Sequence, residues 1–275
     1  REKIKVQQAQ DQLPTSAGGK EKEPPDKFKI NLENTDLEEG QKERLKEVID
    51  RHPAVFAKHE RDLGCTRLIT HHVKINSNQP INASYYKAQR PEIREEISNQ
   101  TDGMIADGVV KESESPYCAP IVLVKKKDGG WRYCVDLRKV NSVTDKIVFP
   151  LPKIEDALRR LKNPKLFTSL DLLRAYHQIP VSEEDQKYYG YSDGRRHLQF
   201  ARCPMGAKNS GATMAMLMEL ILRGLPPEAV IGYLDDILIA TEDFDSHLQV
   251  LERVFIALEQ ANLKLCPSKC KFAQK

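Results

Sequence analysis

Two apolar, strand-forming runs meet at a pair of acids. Residues 229–240 read Ala-Val-Ile-Gly-Tyr-Leu-Asp-Asp-Ile-Leu-Ile-Ala. A strand buried on both faces cannot hold Asp235 and Asp236 in its middle, because unpaired buried charge is costly. The simplest fold for this stretch is a hairpin with both aspartates at its tip, open to solvent or to a cation. Leu-Asp-Asp lacks the Asn-Gly or Gly-X chemistry of tight hairpin turns, which points to a selection other than turn propensity. Taken alone, an ordinary polar loop tip is the plainer reading of the doublet.

A second apolar run ends in one carboxylate. In Lys-Leu-Phe-Thr-Ser-Leu-Asp-Leu-Leu-Arg-Ala-Tyr-His-Gln-Ile at 165–179, a strand over Leu166–Leu170 delivers Asp171, and the chain then turns to bring back Tyr176. Were Asp171 to meet the hairpin tip, three carboxylates would repel one another unless cations neutralised them. Hard divalent ions with oxygen ligands suit such a site, and Mg²⁺ also takes phosphate oxygens from its substrate. Two such ions, ~3.5–4 Å apart, stabilise the attacking and leaving oxygens of phosphoryl transfer. A third block, 124–138, carries Lys125, Lys126, Lys127 and Arg132 around the turn Lys-Asp-Gly-Gly. A lysine run is ordinarily a solvated face. On a hairpin it can also clamp a triphosphate, with Arg gripping bidentately and Lys acting as a point charge.

Helical spacing predicts helices at 41–50 (Leu45, Val48, Ile49) and from Pro91 toward Gly108 (Ile93, Ile97, Met104, Ile105). Further helices are expected at Pro152–Asn163 (Ile154, Ala157, Leu158, Leu161), at about Ala212–Arg223, with its methionines as core filler, and at Phe244–Gln260. Strands are expected at Ile121–Lys125, Trp131–Asp136 and Leu166–Leu170, with a pair over 230–240. Helices and strands mix without βαβ regularity, so the expected class is α+β. A length of 275 residues, 40% of them hydrophobic, suffices for a sizeable core. Forty-three basic against 40 acidic residues leave a net +3, which excludes a histone-like tail protein but not a nucleic-acid binder. No run reaches the apolar length of a membrane span, and the polar start gives no sign of a signal peptide. Residues 1–30, rich in Gln, Lys, Glu, Gly and Pro, read as a disordered linker, with order expected near Leu37. Six scattered cysteines make no disulfide scaffold, and Cys266 and Cys270 lack the second pair that zinc requires; reduced thiols are expected.

In combination the blocks resemble the reverse transcriptase of gypsy-like long-terminal-repeat retrotransposons, relatives of retroviral polymerases. The resemblance runs from about Leu45 to Lys275. It includes Glu112-Ser-Glu-Ser-Pro-Tyr-Cys-Ala-Pro120, the basic hairpin, Val135-Asp-Leu-Arg-Lys-Val-Asn141 and Phe149-Pro-Leu-Pro152. It continues through Leu170-Asp-Leu, Ala175-Tyr-His-Gln-Ile, Pro204-Met-Gly and Tyr233-Leu-Asp-Asp236. It implies a right-hand polymerase fold, with an N-terminal extension and the start of the fingers over 31–90. The fingers would continue over 91–165, and the palm with the remaining fingers elements would fill 166–275. The family's primer grip, thumb, connection and ribonuclease H would come after Lys275, so a fingers-and-palm piece without a thumb is expected.

The resemblance implies RNA-directed DNA polymerase activity and assigns roles residue by residue. Asp171 and Asp235 match the main ligands of two Mg²⁺ ions, which Mn²⁺ can replace, and Asp236 matches the third acid. Lys126 and Arg132 match residues that hold the incoming triphosphate, and Arg174 and Ala175 match positions whose backbone N–H groups touch it. Tyr176 matches the side chain beneath the sugar that excludes a ribose 2′-hydroxyl, and Met205 also falls at the nucleotide. Tyr233, Leu234 and Asn209 fall beside primer and template. Met205, Gly211 and Ala215 depart from the family pattern. Implied partners are RNA and DNA template-primer, deoxynucleoside triphosphates, and protease, ribonuclease H and integrase domains of one polyprotein, with no membrane. The implied setting is a cytoplasmic virus-like particle, with the nucleus as the other compartment. Two readings compete: a catalytically silent nucleic-acid-binding remnant, and a two-metal nuclease. A nuclease would need the acids but neither Tyr176 nor the basic hairpin.

Overall fold

The computed structural model describes residues 28–33, 35–77, 79–83, 90–126, 129–150 and 153–275. Most of the expected N-terminal linker, residues 1–27, lies outside them. Packing begins ahead of Leu37: Phe28 is buried with Ala57, Leu173 and Cys266.

Helix α1 (Glu39–Arg51) buries Leu45, Val48 and Ile49, as its spacing predicts. Its start is closed by the Gln41 side chain, which accepts from the Glu38 backbone N–H at 3.2 Å. Helix α2 (Pro91–Ala106) starts on proline, whose missing N–H costs nothing in the first turn, and buries Ile97, Thr101 and Met104. Strand β1 (Val110–Glu112) leads to the hairpin β2 (Ile121–Lys125) and β3 (Trp131–Val135), paired from Ile121–Val135 to Lys125–Trp131. Helix α3 (Arg138–Val143) and the short α4 (Ile154–Leu158) follow. The expected helix over Pro152–Asn163 is cut down in α4, with residues 151–152 outside the described part. Its stripe also faces the other way, for Ile154 and Leu158 are 46% and 47% exposed while Ala157 is buried. The residue this helix buries is the small Ala157.

Strand β4 (Leu166–Asp171) alternates between buried and half-buried residues. Strands β5 (Gly190–Ser192) and β6 (His197–Phe200) join β1 in a three-stranded antiparallel sheet with β6 in the centre. Helix α5 (Ser210–Leu222) buries Met214 and Met218 in the core and ends at Gly224, whose φ of +84° is favourable only for glycine. Strands β7 (Val230–Tyr233) and β8 (Asp236–Thr241), helix α6 (Phe244–Gln260) and strand β9 (Lys271–Gln274) complete the order. The second sheet runs β7-β8-β4-β9, all antiparallel. The architecture is α+β.

Alternation decides which face of this sheet is core. Leu170 opposes Ile237 and Thr168 opposes Ile239 on the face covered by α5 and α6. There, fully buried His247 bridges Thr168 (2.7 Å) and Thr241 (2.8 Å), and burial lowers its pKa to about 4. The other face carries Asp171, Asp236 and Tyr233 in one row, because side chains directly opposite in a ladder share a face. All six cysteines are free. No helix among the described residues is long and apolar enough to cross a membrane.

Candidate active site

The site is built where β4 ends and the β7–β8 hairpin turns. Asp171, last residue of β4, pairs directly with Asp236, first residue of β8, and Asp236 pairs with Tyr233 across the turn. Directly opposed residues in an antiparallel ladder have Cα atoms ~4.5–5.5 Å apart. The tip itself is Leu234-Asp235, so Asp236 sits on the strand and not in the turn as expected. Leu234 takes φ +54°, a left-handed conformation that hairpins normally give to glycine and that costs a branched side chain about 1 kcal/mol. The turn thus carries the strain that its lack of turn residues implies.

Three carboxylates therefore share one strand end. Burial raises the pKa of Asp236 first, and the charges of Asp235 and Asp171 raise it further, while Lys269 opposes them. The Lys269 Nζ donates to both Asp171 oxygens, at 3.1 and 3.3 Å. This donor set, hard oxygens in excess of positive charge, fits Mg²⁺ or Mn²⁺. Among the described residues no three Asp, Glu, His or Cys side chains are already arranged to enclose an ion. Asp171 would have to exchange its ammonium partner for the metal.

Tyr176 belongs to the same corner. Burial raises its phenol pKa first, then the charge of Asp235. It stands on a single turn, Ala175–Gln178, entered through Arg174 at φ +44°. That turn is clamped from behind. The Gln178 Nε2 donates to Leu173 O (2.7 Å) and Lys264 O (2.9 Å), and its Oε1 accepts from Lys264 N (2.7 Å). Ala175 is buried. The Arg174 Nη1 lies 3.6 Å from the buried Asp107 carboxylate, which also binds Arg61.

The other expected residues are distributed as follows. Lys126 and Arg132 lie on the exposed side of the β2–β3 hairpin, a two-stranded sheet of its own; Lys127 is outside the described residues. Met205 is 63% exposed, at the head of a loop held by Asn141, which donates to Gly206 O (2.8 Å) and accepts from Lys208 N (2.9 Å). Asn209 is buried. Its Oδ1 accepts from Ile147 N (3.0 Å) and its Nδ2 donates to Asp145 O (2.8 Å). A buried amide pairs both its polar ends, which makes Asn209 a brace of the 145–147 segment. Tyr233 and Leu234 line a cleft of about 600 Å³ with Phe149, Pro150, Met218 and Leu222. Sequence reasoning missed Lys269 and Gln178. Gln178 lies inside a block that the resemblance quotes. Lys269 lies between Cys266 and Cys270, and no local pattern links it to Asp171.

A row of acids ends an antiparallel sheet beside a tyrosine turn, and the basic hairpin forms a separate sheet. The chain belongs to the reverse transcriptase (RNA-dependent DNA polymerase) family, whose model matches residues 124–275. It is 34% identical over 238 residues, 84% of its length, to the retrovirus-related Pol polyprotein from transposon 297 of Drosophila melanogaster, and covers 22% of that protein. To the corresponding polyprotein from transposon gypsy of the same fly it is 27% identical over 237 residues, covering 84% of this chain and 23% of that protein. The fold matches the protease-reverse transcriptase of prototype foamy virus with a TM-score of 0.81 at 26% identity, over 89% of this chain and 32% of that one. The structure thus spans the fingers and palm of the polymerase fold, and the chain spans about a fifth to a quarter of the length of these curated relatives.

Proposed function

We propose that this chain is the fingers-and-palm part of an RNA-directed DNA polymerase that extends a primer 3′-hydroxyl with deoxynucleotides, as part of a retrotransposon polyprotein. The observation that carries the reading is the direct pairing of Asp171 with Asp236, beside Asp235 at the strained tip. A structural role would not set three like charges together at a strand end. Asp171 and Asp235, with Asp236, would hold two Mg²⁺ ions. Ions so held neutralise the charge that develops on the oxygens of an in-line displacement. Lys126 and Arg132, on the exposed face of the hairpin, grip the triphosphate in the ground state. Tyr176, on the turn that Gln178 clamps, would exclude a ribose 2′-hydroxyl by steric overlap. Catalysis here is positioning plus charge stabilisation, with no covalent intermediate. A cytoplasmic particle as the working compartment, and protease, ribonuclease H and integrase as neighbours in the polyprotein, follow from the family resemblance.

The test is primer extension on an RNA template by the polyprotein segment that contains this chain, with deoxynucleotides and Mg²⁺. Extension is expected, and Asp235→Asn should nearly abolish it while template binding stays within a few-fold, since phosphate contacts elsewhere supply most of the affinity. Template binding with no extension under any divalent ion would favour the silent remnant instead.

A further inference from the structure

Lys269 reaches the acids from a turn built to deliver it. Pro267–Lys269 forms one tight turn between Cys266 and β9. The Cys266 N–H donates to the Asp171 carbonyl at 2.8 Å, the Lys269 N–H donates to Cys266 O at 3.1 Å, and β9 then pairs along β4. The backbone of the turn is thereby tied to the residue whose side chain its lysine binds. The Lys269 side chain is 63% exposed and that of Asp171 24%, so the ammonium enters the cluster from the solvent side. Its charge acts on Asp236, and Asp235 acts on it in turn. One ammonium thus faces three carboxylates.

We propose that Lys269 is a resident counter-ion: it holds Asp171 in place in the metal-free protein and gives way to the divalent cation. The inference rests on the reading of the three aspartates as metal ligands. An ion bound by Asp171 needs the lone pairs that Nζ now occupies, and a neighbouring positive charge opposes its arrival. Lysine suits an exchangeable role, being a hydrated point charge on a flexible stem that returns to water at little cost. Lys269 is in this sense a positioning residue. It keeps the acids assembled and sets the metal affinity below what they alone would give.

The test is Mn²⁺ binding to the chain, read by calorimetry and by the free-ion electron paramagnetic resonance signal. Removing one positive charge ~6 Å from a divalent ion in a solvent-exposed, salt-screened site should tighten binding about three- to tenfold. Lys269→Ala is expected to show that gain, which a damaged fold could not produce. Lys269→Arg keeps the charge and should stay within about twofold of wild type. An unchanged or weaker affinity in Lys269→Ala overturns the proposal, as does an equal gain in Lys269→Arg. Asp171→Asn and Asp235→Asn should each weaken binding. If they do while Lys269→Ala changes nothing, only the counter-ion role fails. If they leave Mn²⁺ binding untouched, the metal-ligand reading fails and this proposal falls with it.

Discussion

Replacing Asp236 with Asn should make the metal-free protein more stable. Asp236 faces Asp171 in the β4–β8 ladder. Burial raises its pKa, and the charges of Asp235 and Asp171 add to that, partly offset by Lys269. A carboxyl with a raised folded-state pKa contributes stability below its unfolded value and loses it as pH rises through the folded value. At pH 7 the cost is therefore fully present. Opposed side chains ~5.5 Å apart repel by about 0.7 kcal/mol as unit charges in water, and by more at lower effective dielectric. The Asp236 residue is exposed although its carboxyl is partly desolvated, so solvent screening keeps the gain on removing one charge at about 0.5–1 kcal/mol. In a domain of this size that is a rise of about 1–4 °C in Tm. Calorimetric melts of wild type and Asp236→Asn in EDTA at pH 7 measure it. The gain should shrink as pH falls toward 4, and Mn²⁺ should stabilise wild type more than the variant. A lower Tm for Asp236→Asn in EDTA, or a gain indifferent to pH, refutes the account of stored repulsion.

Burial holds His71, His177 and His247 neutral, each with its pKa lowered to about 4. The unfolded chain takes up those protons first, so stability should fall as pH drops from about 6.5 toward 4, by about 3 kcal/mol per histidine at full expression; urea midpoints at pH 7, 6 and 5 that stay level would contradict this. Tyr176→Ala should raise ribonucleotide incorporation relative to deoxynucleotide, because a steric gate acts against the wrong substrate; an unchanged ratio in a competition assay removes Tyr176 from that role. Gly64→Ala should destabilise by about 1–3 kcal/mol, read as a lower denaturant midpoint. The added Cβ would lie 2.1 Å from Asn262 O and 2.7 Å from Gln178 Oε1, and backbone cannot step aside.

Local pattern made much of the scaffold legible. Helices α1, α2, α5 and α6 and the strands β2, β3, β4, β7 and β8 lie where periodicity and turn residues put them. The meeting of the acids was legible too, since each carboxylate at 229–240 and at Asp171 interrupts or ends an apolar run that cannot bury it. What escaped was set by distant contacts. Strands β1, β5 and β6 have three or four residues each, and β1 finds β6 only through the fold. The stripe of α4 gave a face but not its partner, and the helix buries Ala157 while Ile154 and Leu158 stay exposed. The pairing of Asn209 with Ile147 and Asp145 depends on how two loops cross. Lys269 meets Asp171 only because β9 closes the sheet against β4, and nothing in its own neighbourhood announces that.

The most direct measurement is anomalous diffraction at the manganese edge. The crystals would hold the protein with primer-template, Mn²⁺ and a non-reactive deoxynucleoside triphosphate. Manganese peaks ligated by Asp171 and Asp235 are expected, with Asp236 alongside and the Lys269 ammonium withdrawn from Asp171. Manganese bound elsewhere, with the Lys269–Asp171 pair intact, would contradict this expectation.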